Sequence, residues 1–203
     1  MMRTQTARSY RRPVPAAVPE TADAPRPPVS LPRVAADVPG VPAGVLGVPA
    51  DTVRVRPARA DDGERVRCFL GGLSPRTRAQ RFFTEVGDPG TRLVRSLLAV
   101  DEHRDALLAV RGELVVGHAM SHRGQGAAIE IAVVVDDEWQ AMGIGSRLVR
   151  TLMRRAAARG AATVQMDVLG DNRRVLAIVR RMWPDAVMRA SSGAVEVTAA
   201  IIR

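Results

Sequence analysis

Gly143 and Gly145 stand one residue apart where an alternating apolar stretch, Ala128 to Val135, gives way to a run of helical periodicity, Ala141 to Ala158. A strand that passes through a glycine-bearing turn into a long helix leaves the turn beside the helix's first amides. Those amides have no partner within the helix and lie at the positive end of its dipole. Glycine at such a turn lets main chain approach an anion closely. The segment Gln140, Ala141, Met142, Gly143, Ile144, Gly145, Ser146 is therefore read as a cradle for an anion such as a pyrophosphate. Main-chain donors would hold it, and the side chains at 141, 142 and 144 are nearly free to vary.

A Gly-x-Gly pair alone is a weak signal, so other phosphate-binding loops must be weighed against it. A P-loop requires Gly-Lys-Ser/Thr, and all 30 basic residues of this chain are Arg. A dinucleotide fingerprint requires a third glycine at position 148, where Leu148 stands, and glycines directly after the first strand. Neither pattern fits.

Residues 1–50 carry ten of the 14 prolines and show no period of 3.6 or 2. Such a segment buries too little apolar surface to offset its ordering entropy, and is expected to be a disordered tail. From residue 51 the texture changes. Thr52 to Arg56 alternates as a strand, Asp61-Asp62 cap a helix through Val66, Phe69 and Leu70, and Ser74-Pro75 open a second helix ending at Phe82-Phe83. A turn at 87–90 precedes a third short helix, 93–100. Strands at 106–110 and 114–120 flank the hairpin residues Arg111-Gly112-Glu113. After the strand and helix around the glycines come a strand at 163–169, a helix at 172–182 and a closing strand at 195–202. This order predicts an α+β domain, 51–203, with helices on both faces of one mixed sheet.

The formal charge of +9 would suit a nucleic-acid partner, but the arginines are not interleaved with aromatics, and the Ala, Val and Gly richness points to a GC-rich coding genome instead. Nucleic acid is thus not the expected partner. Cys68, the one cysteine, excludes an intrachain disulfide and a cysteine zinc site, and fits a reducing cytoplasm. No apolar stretch approaches the roughly 18 residues of a membrane span. His103, His118 and His122 lack metal-ligand spacing with acids, so no metal is expected.

Gln140-x-x-Gly143-x-Gly145 after an apolar strand, with Asp171-Asn172 further on, resembles the coenzyme-binding signature of the GNAT superfamily of acetyltransferases. The resemblance spans about residues 51–202. A closer likeness, carried by Leu73-Ser74-Pro75-Arg76, Arg81-Phe82-Phe83, Glu130-Ile131-Ala132 and Asp137-Glu138-Trp139-Gln140, is to the branch holding bacterial protein-lysine acetyltransferases. That branch often carries a cyclic-nucleotide-binding domain, for which this length leaves no room. The resemblance implies a mostly antiparallel sheet with one splayed strand pair, acetyl-CoA as cosubstrate, and an amine acceptor, either a small molecule or a protein lysine. It further implies that the main chain of Val133, Val134 and Val135 runs beside the pantetheine arm, and that Asn172 touches the coenzyme. Three valines in a row also make an ordinary buried strand, and Asn172 also makes a good helix N-cap.

Glu130 is the candidate general base. Ala128, Glu130, Ala132 and Val134 share one strand face, and the small alanines would leave a cleft in which a shielded carboxylate takes a proton from an ammonium. The plain alternative is a solvent-facing Glu on a half-exposed sheet. Family members often place a proton-donating tyrosine seven residues after the Asn, where this chain has Val179. That departure keeps a second reading open: an acyl-CoA-binding regulatory module with little or no transfer. Arg147, Arg150, Arg154, Arg155 and Arg159 are expected to form a solvated basic face, and Cys68, Phe82 and Phe83 to lie in the core.

Overall fold

The computed structural model describes residues 53–83, 89–124 and 126–201. The Pro-rich segment 1–50 and the first half of the turn at 87–90 lie outside the described residues. Strands β1 (Arg54–Pro57), β2 (Arg104–Arg111), β3 (Leu114–Arg123), β4 (Ala128–Val135), β5 (Thr163–Leu169), β6 (Val187–Ser191) and β7 (Ala194–Ala200) form one seven-stranded sheet in the order β1-β2-β3-β4-β5-β7-β6. The pairs β1–β2, β2–β3, β3–β4, β5–β7 and β6–β7 are antiparallel; β4–β5 is parallel.

Helices α1 (Gly63–Gly72), α2 (Pro75–Phe82) and α3 (Thr91–Leu97) pack on one face, and α4 (Ile144–Ala158) and α5 (Arg173–Met182) on the other. β2 is covered on both sides, so Asp105 to Val110 are all buried. Leu107 and Leu108, adjacent in sequence, enter opposite cores because successive side chains on a strand point to opposite faces. On α4 the buried Ile144, Leu148, Leu152 and Ala156 recur every fourth residue and make the stripe that rests on the sheet. Gly117 of β3 lies under this helix: a Cβ there would meet Leu148 Cδ1 at 3.1 Å and Val134 O at 3.4 Å. Its lack of a side chain lets α4 sit close.

Several expectations need correction. Cys68 is exposed, because the buried stripe of α1 runs through Val66, Phe69 and Leu70 and leaves position 68 off it. Phe82 is half-buried, but Phe83 is exposed: it forms the left-handed C-cap of α2 at φ 58°, donating its N–H to Ala79 O, and so leaves the helical face. Asp62 does not cap α1 with its side chain. Its buried carboxylate instead accepts two hydrogen bonds from Arg56, at 2.7 and 2.6 Å, and one from the Arg59 amide at 2.9 Å. Strand β6 was not anticipated. It pairs with β7 through Ser192-Gly193, both at positive φ as a two-residue hairpin requires, and its exposed side chains carry little apolar alternation. The helix after the glycines starts at Ile144 rather than residue 141.

Arg155 also leaves the expected solvated face. Its guanidinium grips the buried Asp105 of β2 with hydrogen bonds of 2.6 and 3.1 Å, with Arg159 3.7 Å from the same carboxylate. This pair ties α4 to the sheet at the end away from the glycines. Removing one partner of a buried pair leaves an uncompensated charge, so Arg155→Met is expected to cost about 3 kcal/mol in urea unfolding, with a smaller loss for Arg159→Met.

His118 is buried beneath α3, with Nε2 donating to Leu97 O at 2.8 Å, which leaves Nδ1 as a bare acceptor with no hydrogen-bond partner among the described residues. Burial, and secondarily the charge of Arg81, push the imidazole down to about 4, against the opposing effect of the Leu97 bond. The folded value is below the ordinary 6.5, so this stability is present above pH 6.5 and lost as pH falls toward 4. His118→Gln, which can keep a donor to Leu97 and does not titrate, is expected to flatten the acid limb of the stability profile over that window. A wild-type limb there would show His118 uninvolved.

Candidate active site

The sheet opens at its one parallel pair. β4 and β5 are in register only at Ala128↔Thr163, Ile129↔Val164 and Glu130↔Gln165, whereas β4 stays paired with β3 through Val135. From Ile131 onward, the β5-facing edge of β4 therefore has main-chain groups with no strand beside them. Such an edge can accept an extended ligand as an added strand. Val133 and Val135 are half-buried toward α4, and Val134 is buried toward α1–α3, so the valines serve as core while their main chain borders the gap.

At the wide end of this gap sits the glycine turn. Gly143 is the N-cap of α4 at φ 77°, in the left-handed region, and a Cβ on it would project into open space. Ala141 is also left-handed at φ 67°, a conformation disfavoured for a side-chain-bearing residue. The first helical bond runs from Arg147 N–H to Gly143 O at 3.0 Å, leaving the amides of Ile144, Gly145 and Ser146 ahead of the ladder. No side chain caps this end and no acid lies in its first turn. The first turn thus supplies no anion of its own to the positive helix end, and the donor set fits a pyrophosphate. Met142 is exposed, but Ile144 is buried in the stripe of α4, so its side chain is not free to vary as the sequence suggests.

The loop is held from both sides. Trp139 is buried, with the Arg111 guanidinium 5.5 Å from its ring centroid. Gln140 Nε2 donates to Val135 O at 3.2 Å, and its Oε1 faces Arg174 Nη1 of α5 at 3.5 Å, so its side chain bridges the strand end and α5. Asp137 reaches across to α2: its carboxylate accepts from Ser74 N and Ser74 Oγ, both at 2.9 Å, and from Thr77 Oγ1 at 2.6 Å. Burial pushes this carboxyl up, but the bonds from Ser74 and Thr77 outweigh it and hold it below the ordinary range. Asp137 thereby joins the turn before the glycines to the helix lining the opposite face.

Glu130 lies where β4 and β5 part, paired across with His122 of β3. It is exposed, so the expected shielding is not present in the protein alone. It points to the α1–α3 face, together with Ala132 and Val134. Arg81, in the last turn of α2, comes within electrostatic reach of it. Asn172 is the N-cap of α5, its Oδ1 accepting from Val175 N at 3.2 Å. Val179 is buried in the core, so its position offers no proton donor. The only tyrosine, Tyr10, lies outside the described residues. Among the described residues, His, Cys, Asp and Glu form no group of three or more able to hold a metal ion.

Sequence reasoning missed the roles of Arg81, Asp137 and Arg174. The first two stood inside stretches marked by the family likeness, but nothing local says that Asp137 meets Ser74 or that Arg81 faces β4.

The family model described as the acetyltransferase (GNAT) family matches residues 74–182. An acetyltransferase of Pseudomonas aeruginosa is 35% identical over 117 residues, a match covering 53% of this chain and 61% of that protein, so the chain spans less than two thirds of this relative. The GNAT domain of a PAT from S. lividans shares the fold with a TM-score of 0.68 at 22% identity, over 76% of this chain and 99% of that one. A cAMP-binding acyltransferase from Mycobacterium smegmatis aligns with a TM-score of 0.52 at 25% identity, over 74% of this chain and 44% of that one. The family match takes in the glycine turn, the strand beside the gap and the helix after it, and the chain belongs to the acetyltransferase (GNAT) family.

Proposed function

We propose that this protein is an acetyl-CoA-dependent N-acyltransferase that passes an acetyl group directly to a primary amine, carried by a domain of residues 51–203. The observation that carries the reading is the conjunction of an uncapped, acid-free helix start at Gly143 with the unpaired edge of β4 leading up to it. Bound acetyl-CoA would supply an activated thioester carbonyl. The amides of Ile144, Gly145 and Ser146 would hold its pyrophosphate, with Gln140, Ala141, Met142 and Gly143 shaping the turn. Main chain of Val133, Val134 and Val135 would align the pantetheine arm and donate to the carbonyl oxygen as charge develops there. Asn172, besides capping α5, would border the coenzyme.

The acceptor, a small-molecule amine or a protein lysine, would enter from the α1–α3 face. Glu130 would take the proton from its ammonium, directly or through water, freeing the nitrogen lone pair. Glu130 is exposed in the protein alone, and arrival of the two substrates would supply the shielding that strengthens it as a base. With Val179 buried where a tyrosine often stands, water is the proposed proton source for the departing thiolate. We place the reaction in the cytoplasm, with neither nucleic acid nor membrane as partner; among the described residues no helix is long and apolar enough to cross a membrane.

The buried Val179 favours a second reading, a module that binds acyl-CoA for regulation and transfers little. Calorimetric titration of the full chain with acetyl-CoA is expected to show saturable binding that Gly143→Glu abolishes, since that side chain would strain the left-handed turn and bring an anion to the pyrophosphate's place. Absence of binding by the folded wild-type protein would overturn both readings. Glu130→Gln is expected to keep coenzyme affinity while lowering turnover by roughly 10²-fold or more, read as thiol release with an amine acceptor. Tight binding without thiol release across amines and lysine peptides would select the regulatory module.

A further inference from the structure

Arg81 is a charged side chain for which the described residues provide no counterion. It lies in the last turn of α2, on the sheet face that carries His118 and Glu130. Its Nε is buried with no hydrogen-bond partner. Among the described residues, no carboxylate oxygen comes within the 4.0 Å of an ion pair with its guanidinium. The contact it does make is with the neighbouring Phe82 ring, whose centroid is 4.9 Å from Cζ. Elsewhere this chain matches such arginines: Arg56 makes two hydrogen bonds with the buried carboxylate of Asp62, and Arg155 two with that of Asp105.

Arg81 as a whole is half-buried, and the part of its guanidinium withdrawn from water is Nε; an N–H donor left there without an acceptor costs free energy that an arriving carboxylate would relieve. Burial pushes Arg81 down to about 10, with the charge of Glu130 acting in the opposite direction, so it stays a cation at neutral pH. His118 does not compete for an anion there, because its imidazole is neutral and its free nitrogen is an acceptor. The Glu130 side of the gap thus presents an exposed carboxylate at one point and a half-buried cation at another, near enough to interact and not paired with each other. An acceptor that is only an amine satisfies the first and leaves the buried Nε of the second without a partner.

We propose that Arg81 is an acceptor-recognition site for a carboxylate, so that the preferred acceptor is an amine carrying a carboxylate close by, its nitrogen toward Glu130 and its carboxylate on the Arg81 guanidinium. This rests on the acyl-transfer reading for the placement of the amine. The same chemistry comes from a free amino acid or from a protein lysine with a neighbouring acidic residue. A guanidinium and a carboxylate match geometrically in a bidentate pair, which makes Arg→Lys a non-conservative change at such a site.

The test compares matched probes on the full chain saturated with coenzyme A. One arm uses free amino acids against the amines left when their carboxylate is removed. The other uses lysine peptides with Asp or Glu beside the lysine against the same peptides with Asn or Gln. Equilibrium binding is read by calorimetry and acetyl transfer by thiol release with acetyl-CoA. In at least one arm the carboxylate-bearing member is expected to bind about 10-fold or more tighter, with Arg81→Met removing the preference, Arg81→Lys restoring part of it, and affinity for acetyl-CoA unchanged. The arm that shows the preference identifies the source. Equal binding in both arms overturns the proposal, as does a preference that survives in a folded Arg81→Met protein. The first comparison needs no variant. An Arg81-dependent carboxylate preference without thiol release would leave the recognition site standing and remove the acyl-transfer reading. An upward shift of the acid limb of the kcat/KM pH profile in Arg81→Met, with no carboxylate preference in the wild type, would reassign Arg81 to tuning Glu130 and overturn the proposal.

Discussion

Two parallel neighbours cannot be joined by a tight turn, and the site follows from how this chain meets that constraint. The chain leaving β4 must travel back before β5 can start, and α4 is the return path. The N-terminus of α4 consequently stands just beyond the last residues of β4. The pair that requires the crossover is itself short, reaching only to Glu130 and Gln165, so the same β4 end that feeds the helix is the one with an unpaired edge. The first amides of α4 and an open main-chain edge are thereby brought together by one feature of the topology. Gly117 beneath Leu148 and the Arg155–Asp105 grip hold α4 at the angle that keeps them together.

The two faces of the sheet divide the work. Toward α4 and α5 the β4 side chains are Ile129, Ile131, Val133 and Val135, and they are core. Toward α1–α3 stand Glu130, Ala132 and Val134, with α2 bringing Arg81 to the same side. Asp137 connects the halves, since its carboxylate sits in the turn that leads to the glycines and takes its hydrogen bonds from the start of α2. The start of α2 is in this way anchored to the turn that precedes Gly143.

Local patterns carried much of this. Alternation in Ala128 to Val135 assigned the strand and its two faces, and the fourfold apolar repeat on α4 and the Asn172 cap on α5 were readable from spacing alone. Other features failed for physical reasons that can be named. β6 is an edge strand with exposed side chains, so it lacks the alternation that marks a half-buried strand. The apolar stretch around Cys68 suggests burial, but the helix phase places the buried stripe one residue away. Two Phe at a helix end suggest core, but a left-handed C-cap turns the chain out of the helix at Phe83. Arg155 and Asp105 are 50 residues apart, and no local rule pairs them.

What the sequence by itself determined is the kind of chemistry on offer. Glycines before an acid-free helix start offer main-chain donors suited to an anion, a glutamate among small residues on a strand is the candidate base, and the absence of Lys and of paired cysteines removes rival sites. These depend on interactions within a few residues, which spacing encodes. Which groups face one another was decided by tertiary structure. The parting of β4 from β5, the reach of Asp137 to α2 and the placing of Arg81 on the Glu130 side with its buried Nε unpartnered all depend on contacts between segments distant in sequence. Those contacts arise from how two cores pack against one twisted sheet, and no single stretch of the chain contains that information.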